Sequence, residues 1–286
     1  MRDLFISLIV RDFCKLRPDY RWPTDRVLNS SITKLKDFLG RLSEDTRHEF
    51  MALINLFNNK NIKQEFQCAD FVKCLKAEVS NVWRDSTQAQ NCYSVRFCLC
   101  EFVLRWGGII LFSPRFNIRD RENQRSTVNL IESIVQLDRI KEADVVGNRC
   151  FSGRISSWSK LLAFHNPENY QVYDSRIYRY LATQWCSAAK MCVDDAEPFP
   201  FCLVDGKFGR KVTRGVLNQR LKENIRRVGL ENFGQVKGYL AYQQLLRDLG
   251  DRLPPTSYAS AQDIEMALFM LGGMDDMLLE RIAKIK

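Results

Sequence analysis

A mostly α-helical fold is what this 286-residue sequence predicts, and three patterns carry the prediction. Apolar residues recur every three or four positions over most of the chain, the interval that gives a helix one buried face. Helix punctuation separates these runs. Ser43-Glu44-Asp45 opens one, Asn166-Pro167 ends another and Pro254-Pro255 divides two more, since proline lacks a donor and disfavours helix at the residue before it. Only residues 199–212 read as strand, a small β-hairpin insertion. Along the chain we distinguish an N-terminal helical region (1–107), a central segment (108–190) and a C-terminal region (191–286).

Residues 1–107 are helical in pattern from the start. Ser30-Ser31 is placed to cap a helix carrying Ile32, Leu35, Phe38 and Leu39. Ser43 opens another, with Phe50, Leu53, Ile54 and Phe57 as its apolar face. Phe66–Val79 and Cys92–Trp106 read as two more, the second apolar enough to be central. The plain reading of the region is packing scaffold. Gly107-Gly108 and Ser113-Pro114 then break the pattern. Between Pro114 and Arg125 stand Arg115, Arg119, Arg121 and Arg125, interleaved with Asp120 and Glu122. A solvated loop and a phosphate-contacting loop both fit that composition. Ser126–Ile140 resumes as an amphipathic helix.

The stretch from Gly153 to Trp185 concentrates the chemistry. Ile155, Trp158, Leu161, Leu162 and His165 share one helical face, with Ser156, Ser159, Lys160 and Ala163 on another. After Asn166-Pro167, Tyr170–Tyr173 reads as a short extended approach to Asp174. A second helix starts there, with Ile177, Leu181 and Trp185 inward and Arg176, Arg179 and Thr183 off that face. An Asp in this place is a preferred N-cap, accepting hydrogen bonds from the amides of the first turn.

Beyond Trp185, the apolar run Phe199–Val204, the turn Asp205-Gly206 and a second run ending at Val212 make the hairpin. Its basic return arm leads into a helix with Leu217, Leu221, Ile225 and Val228 as its apolar stripe. Arg214, Arg220, Lys222, Arg226 and Arg227 crowd the rest of that helix. Helices at 234–249, 261–271 and 275–286 complete the chain.

Lys and Arg number 43 against 34 Asp and Glu, a net charge of +9. Such an excess points to a polyanionic partner, nucleic acid first and a membrane surface second. The ten cysteines contain no C-x-x-C pair, which argues against a zinc ribbon or a thioredoxin-like motif. They read as reduced and mostly buried, as in a cytoplasmic protein. Leu4–Val10 is too short to cross a bilayer and lacks the flanks of a signal peptide, so no membrane association is expected.

Asp174-Ser175-Arg176-Ile177-Tyr178-Arg179 fits the pattern D-[ST]-x-[VI]-x-R. With the glycine and helix before it, the segment resembles the helix-hairpin-helix DNA glycosylases, in particular their bacterial OGG-like branch. The resemblance covers Gly153 to Trp185 and implies two helical subdomains around a cleft. It implies an enzyme, expected to be monomeric and to need no cofactor or metal, acting on duplex DNA with a flipped base. Asp174 matches the catalytic carboxylate. Gly153 falls at the last glycine of the family's hairpin, but Arg149-Cys150-Phe151-Ser152-Gly153 stands where the fuller L-P-G-V-G is usual. The lysine nucleophile of bifunctional members would fall at Ile155 or Ser156. The resemblance therefore implies a monofunctional enzyme that leaves an abasic site, with Lys160, about a turn later, as the candidate for lyase chemistry. Some members carry a four-cysteine iron–sulfur loop after the Asp, whereas only Cys186, Cys192 and Cys202 follow Asp174.

In the mechanism so implied, the N-glycosidic bond breaks with oxocarbenium-like charge on the sugar. A fixed carboxylate stabilises that charge and orients or deprotonates the attacking water. The base first leaves the stack, at a cost of roughly a few kcal/mol. The candidate substrate-binding residues are Tyr173, His165, Arg176 and Lys160. Gly153, Arg154, Lys207, Arg210, Lys211 and Arg214 are the candidates for DNA backbone contact. The expected substrate is a modified or bulky base, such as a glucosylated pyrimidine of phage DNA, which would make the enzyme an antiviral defence. The alternatives are an 8-oxoguanine-type repair enzyme and a non-catalytic DNA-binding protein on the same scaffold. A nuclease would need clustered acidic residues, and Asp194, Asp195 and Glu197 form the nearest group, with no partner motif.

Overall fold

The structure is a computed structural model. It describes residues 1–18, 25–59, 62, 69–86, 92–107, 125, 128, 129, 132, 155–202, 204, 212–229, 235–254 and 258–284. Apart from an isolated bridge at Phe199, every regular element among these residues is helical. In chain order they are α1 (Arg2–Leu16), α2 (Asp25–Gly40), α3 (Glu44–Glu49), α4 (Met51–Asn58), α5 (Ala69–Asp85) and α6 (Cys92–Trp106). Then come α7 (Ile155–His165), α8 (Ser175–Met191), a 3₁₀ turn at Val193–Asp195, α9 (Val212–Val228), α10 (Gln235–Gly250), α11 (Ala261–Leu271) and α12 (Asp275–Ala283). No helix among the described residues is long and apolar enough to cross a membrane.

Three expected boundaries move. The chain is already helical at Asp25, so Ser30-Ser31 lies inside α2 and not at its start. Ser43 is the N-cap of α3, but the run behind it is two helices, broken at Phe50 with φ −94° and ψ 7°. That bend leaves the Phe50 ring with no exposed surface. Val212, placed at the end of the β-hairpin, is the first residue of α9. The rest of the return arm, the 114–124 loop and almost all of the 126–140 helix lie outside the described residues.

The chain forms two compact units that are not consecutive along it. One comprises Met1–Asp19, Glu142–Ser156 and Tyr173–Lys286, and the other Tyr20–Lys141 and Ser157–Val172. In the first, α8 is packed by α1, α9, α11 and α12, and its residues from Ile177 to Cys186 are all buried. A helix surrounded on every side must satisfy its polar groups internally. Thr183 donates to the Arg179 carbonyl at 2.8 Å. Tyr180 and Gln184 donate to Asp12 of α1 at 2.9 and 2.6 Å. Arg281 of α12 grips the same carboxylate with both guanidinium nitrogens. Arg179 and Thr183, expected off the inner face, are thus as buried as Leu181. At the end of α8, Trp185 meets the rings of Phe5, Phe199 and Phe201 and donates to the Glu197 carbonyl at 3.0 Å. The segment at Cys202 crosses α10 at Gly238, where a Cβ would lie 2.6 Å from the Cys202 nitrogen.

In the second unit, α6 is central as its apolar sequence predicts, buried from Val95 to Leu104 except for Cys98. Phe102 meets Phe57 edge-on at 5.7 Å and Phe38 at 6.3 Å. The Arg96 guanidinium lies 4.9 Å from the Trp83 ring and is bonded to Ser86, the Trp83 carbonyl and Glu132.

Candidate functional site

Asp174 sits at the N-cap of α8 in an extended conformation, φ −117° and ψ −176°. Its Oδ1 accepts from the amides of Arg176 at 2.8 Å and Ile177 at 3.2 Å. No donor among the described residues is bonded to Oδ2. The residue keeps 8 % of its surface exposed, so the carboxylate is held but not sealed. One oxygen is fixed by helix amides, which favour negative charge. The other retains its lone pairs. An arrangement of this kind can stabilise a nearby positive charge or accept a proton from water.

The neighbours of Asp174 are structural. The Tyr173 hydroxyl donates to the Cys202 carbonyl at 2.8 Å and its ring lies 4.9 Å from that of Tyr242. The side chain has no exposed surface, so in this structure it offers no face on which a base could stack. Burial raises its phenol well above the usual range, reinforced by Cys202, Tyr178 and the Asp174 carboxylate. Arg176, half-buried, lays its guanidinium 4.3 Å from the centre of the Phe269 ring. Arg179 donates to the Gly272 carbonyl at 2.9 Å and forms an ion pair with Asp275 at 3.3 Å, without hydrogen-bond alignment. These contacts make the matching arginine of the D-[ST]-x-[VI]-x-R segment a clasp between α8 and the turn after α11.

Gly272 was not legible as part of this site. A Cβ there would lie 2.0 Å from the Arg176 carbonyl oxygen, so this glycine lets the α11 terminus press on the first turn of α8. With φ −70° it is needed for space and not for a left-handed turn. The Gly272-Gly273 pair announces a helix end in the sequence, but nothing local announces what the backbone there approaches.

Lys160 and His165 belong to the second unit. Both are buried, as are Ser159 and Ala163, while Ser156 at the start of α7 is half-buried. The alkyl stem of Lys160 packs on Gly107, where a Cβ would lie 2.6 Å from its Cδ. His165 Nδ1 is 2.5 Å from the Leu161 carbonyl, to which it donates, and the ring stands edge-on to Trp83 at 4.0 Å. Its Nε2 has no hydrogen-bond partner among the described residues. Burial lowers its pKa to about 4, the Leu161 bond opposing and the charge of Arg96 assisting. His165 is therefore a neutral core residue.

Gly153, Arg154, Lys207, Arg210 and Lys211 lie outside the described residues, as does the side chain of Arg214 in α9. The described cysteines are free thiols, and only Cys100, Cys186 and Cys202 among them are buried, fewer than expected. Burial pushes the Cys186 and Cys202 thiols up to about 12. No grouping of His, Cys, Asp and Glu among the described residues has the makings of a metal site. No protein-family model, curated protein or solved structure matches this chain.

Proposed function

We propose that the chain is a monofunctional DNA glycosylase of helix-hairpin-helix type. In this reading Asp174 stabilises the oxocarbenium-like sugar and orients the attacking water, and the product is an abasic site in duplex DNA. The observation that carries the reading is the division of labour at Asp174. Oδ1 is tied to the first turn of α8 while Oδ2 has no bonded donor among the described residues, and both belong to a segment that fits the glycosylase pattern. The net charge of +9 supports a nucleic-acid partner. A bulky modified base, such as a glucosylated pyrimidine of phage DNA, is the substrate we favour, with a cytoplasmic, monomeric enzyme in a defence role. An 8-oxoguanine-type lesion is the alternative.

The test compares the native protein with Asp174→Asn on duplexes carrying 8-oxoguanine, uracil or alkylated purines and on glucosylated and unmodified phage DNA, scoring alkali-labile sites. Asparagine caps a helix about as well as aspartate, so the variant should fold and bind DNA yet release no base. Full release by Asp174→Asn would refute the mechanism. A second reading, a non-catalytic DNA-binding protein, is favoured by the burial of Tyr173 and by the cap geometry itself. It predicts no release from any duplex by either protein.

A further inference from the structure

The apolar stripe of α9 turns Leu217, Leu221 and Ile225 inward, and the helix packs on α8 and α12. That leaves Lys222, Arg226 and Arg227 exposed and Arg220 half-exposed on the remaining surface. The helix carries five basic residues and one acid, Glu223, which Gln219 engages at 3.4 Å. Elsewhere in the same unit several arginines meet carboxylates. Arg2 pairs with Asp248, Arg252 with Asp3, Arg179 with Asp275 and Arg281 with Asp12. Arg220, Arg226 and Arg227 have no such partner among the described residues. Against those pairs, the outward face of α9 carries four described basic side chains and the single carboxylate of Glu223, an excess of positive charge at the surface.

From this contrast we infer that the outward face of α9 contacts the phosphate backbone of duplex DNA, through Arg220, Arg226 and Arg227. The inference rests on the nucleic-acid partner proposed above, not on the glycosidic chemistry. Arg220 and Arg227 are two helical turns apart, about 10 Å of rise, or roughly three base-pair steps of duplex. The two arginines can therefore meet separate phosphates. Guanidinium groups suit this role because their planar fork binds phosphate oxygens in pairs. Such contacts position a duplex and carry no base specificity.

The experiment measures affinity for an unmodified duplex oligonucleotide over a salt series for three proteins: native, Arg220→Gln/Arg226→Gln/Arg227→Gln, and Lys34→Gln/Lys36→Gln/Arg47→Gln. The last removes equal charge from exposed positions of the other unit. Thermal melting verifies that each variant is folded, and single substitutions replace the triple if it is not. The α9 triple should make the plot of log affinity against log salt shallower by roughly two to three units, about 0.9 per lost phosphate contact. The control should leave the slope nearly unchanged. A steep native slope that survives the α9 triple, or falls equally in the control, overturns the inference and leaves the proposed function standing. Absence of duplex binding by the folded native protein overturns both. Tighter α9-dependent binding to phosphatidylserine-containing vesicles or to polyglutamate than to DNA would assign the face to a membrane or an acidic protein instead.

Discussion

Acidification should destabilise the protein through His165, and the size of the effect follows from where that ring is placed. The imidazole is 2 % exposed, its Nδ1 proton is committed to the Leu161 carbonyl and its edge is closed by Trp83. A proton added at Nε2 would create a charge with no acceptor among the described residues, in the field of Arg96. The folded-state pKa is accordingly lowered to about 4 from an ordinary value of 6.5. Because the unfolded chain takes up the proton first, the stabilisation is fully present above pH 6.5 and is lost as pH falls towards 4. A difference of that size corresponds to about 3 kcal/mol at 1.36 kcal/mol per unit. Other groups titrate over the same range, so the measurement is a difference. Urea unfolding of the native protein and of His165→Gln, from pH 7.5 down to pH 4, is followed by tryptophan fluorescence. Whatever the offset at neutral pH, the native protein should lose about 3 kcal/mol relative to the variant across this window. Parallel pH dependences would refute the reasoning, since a ring that accepts its proton at an ordinary pKa is not buried as described.

Three further outcomes are expected. Gly272→Ala must displace the first turn of α8, because its Cβ would lie 2.0 Å from the Arg176 carbonyl; an overpacking cost of about 1–3 kcal/mol should appear as a lowered Tm. Arg179→Ala removes the hydrogen bond to the Gly272 carbonyl and the ion pair with Asp275, and should cost about 1.5–3 kcal/mol in chemical denaturation, the range for a hydrogen bond made by a charged group. Tyr173, Tyr180 and Tyr242 have pKa values raised chiefly by burial, so their stabilisation is present below pH 10 and declines above it. Their phenolate absorbance should grow in only together with unfolding.

What the sequence made legible is what local chemistry decides. Asp174 as a cap, the Asn166-Pro167 stop and α11 at Ala261–Leu271 each depend on residues within one turn, and each is found where the pattern put it. Arg179 depends on Gly272, separated from it by 93 positions, and periodicity cannot see that distance. An Arg off the apolar stripe of a helix is ordinarily solvated, but α8 is enclosed on all sides, so the stripe that marks an inner face did not mark an outer one. The break at Phe50 was hidden for a related reason. No glycine or proline announces it, and a continuous helical spacing passes through it. At the candidate site, sequence pattern found the carboxylate and missed the glycine behind it.

Tyr173 shows how that difference bears on function. A candidate substrate-binding residue by its place in the sequence, it fixes the chain just before the cap, through its hydroxyl on the Cys202 carbonyl and its ring on Tyr242. A carboxylate held from both sides, by Tyr173 before it and the α8 amides after it, pays no reorganisation when charge develops nearby. Tyr173→Phe keeps the ring and removes only the hydrogen bond, leaving the Cys202 carbonyl without that donor at a cost of about 1 kcal/mol. If Asp174 is the catalytic carboxylate, the variant should lower the rate of base release under single-turnover conditions while leaving duplex affinity and its salt slope unchanged. A base-stacking role predicts the reverse, because phenylalanine stacks as tyrosine does and release would persist undiminished. Tyr173→Leu separates the two further. A stacking residue so replaced should weaken binding to a duplex carrying the substrate base and not to an unmodified one. A positioning residue should slow release with equal affinity for both. Loss of affinity confined to the substrate duplex would therefore return Tyr173 to the base and overturn the positioning role.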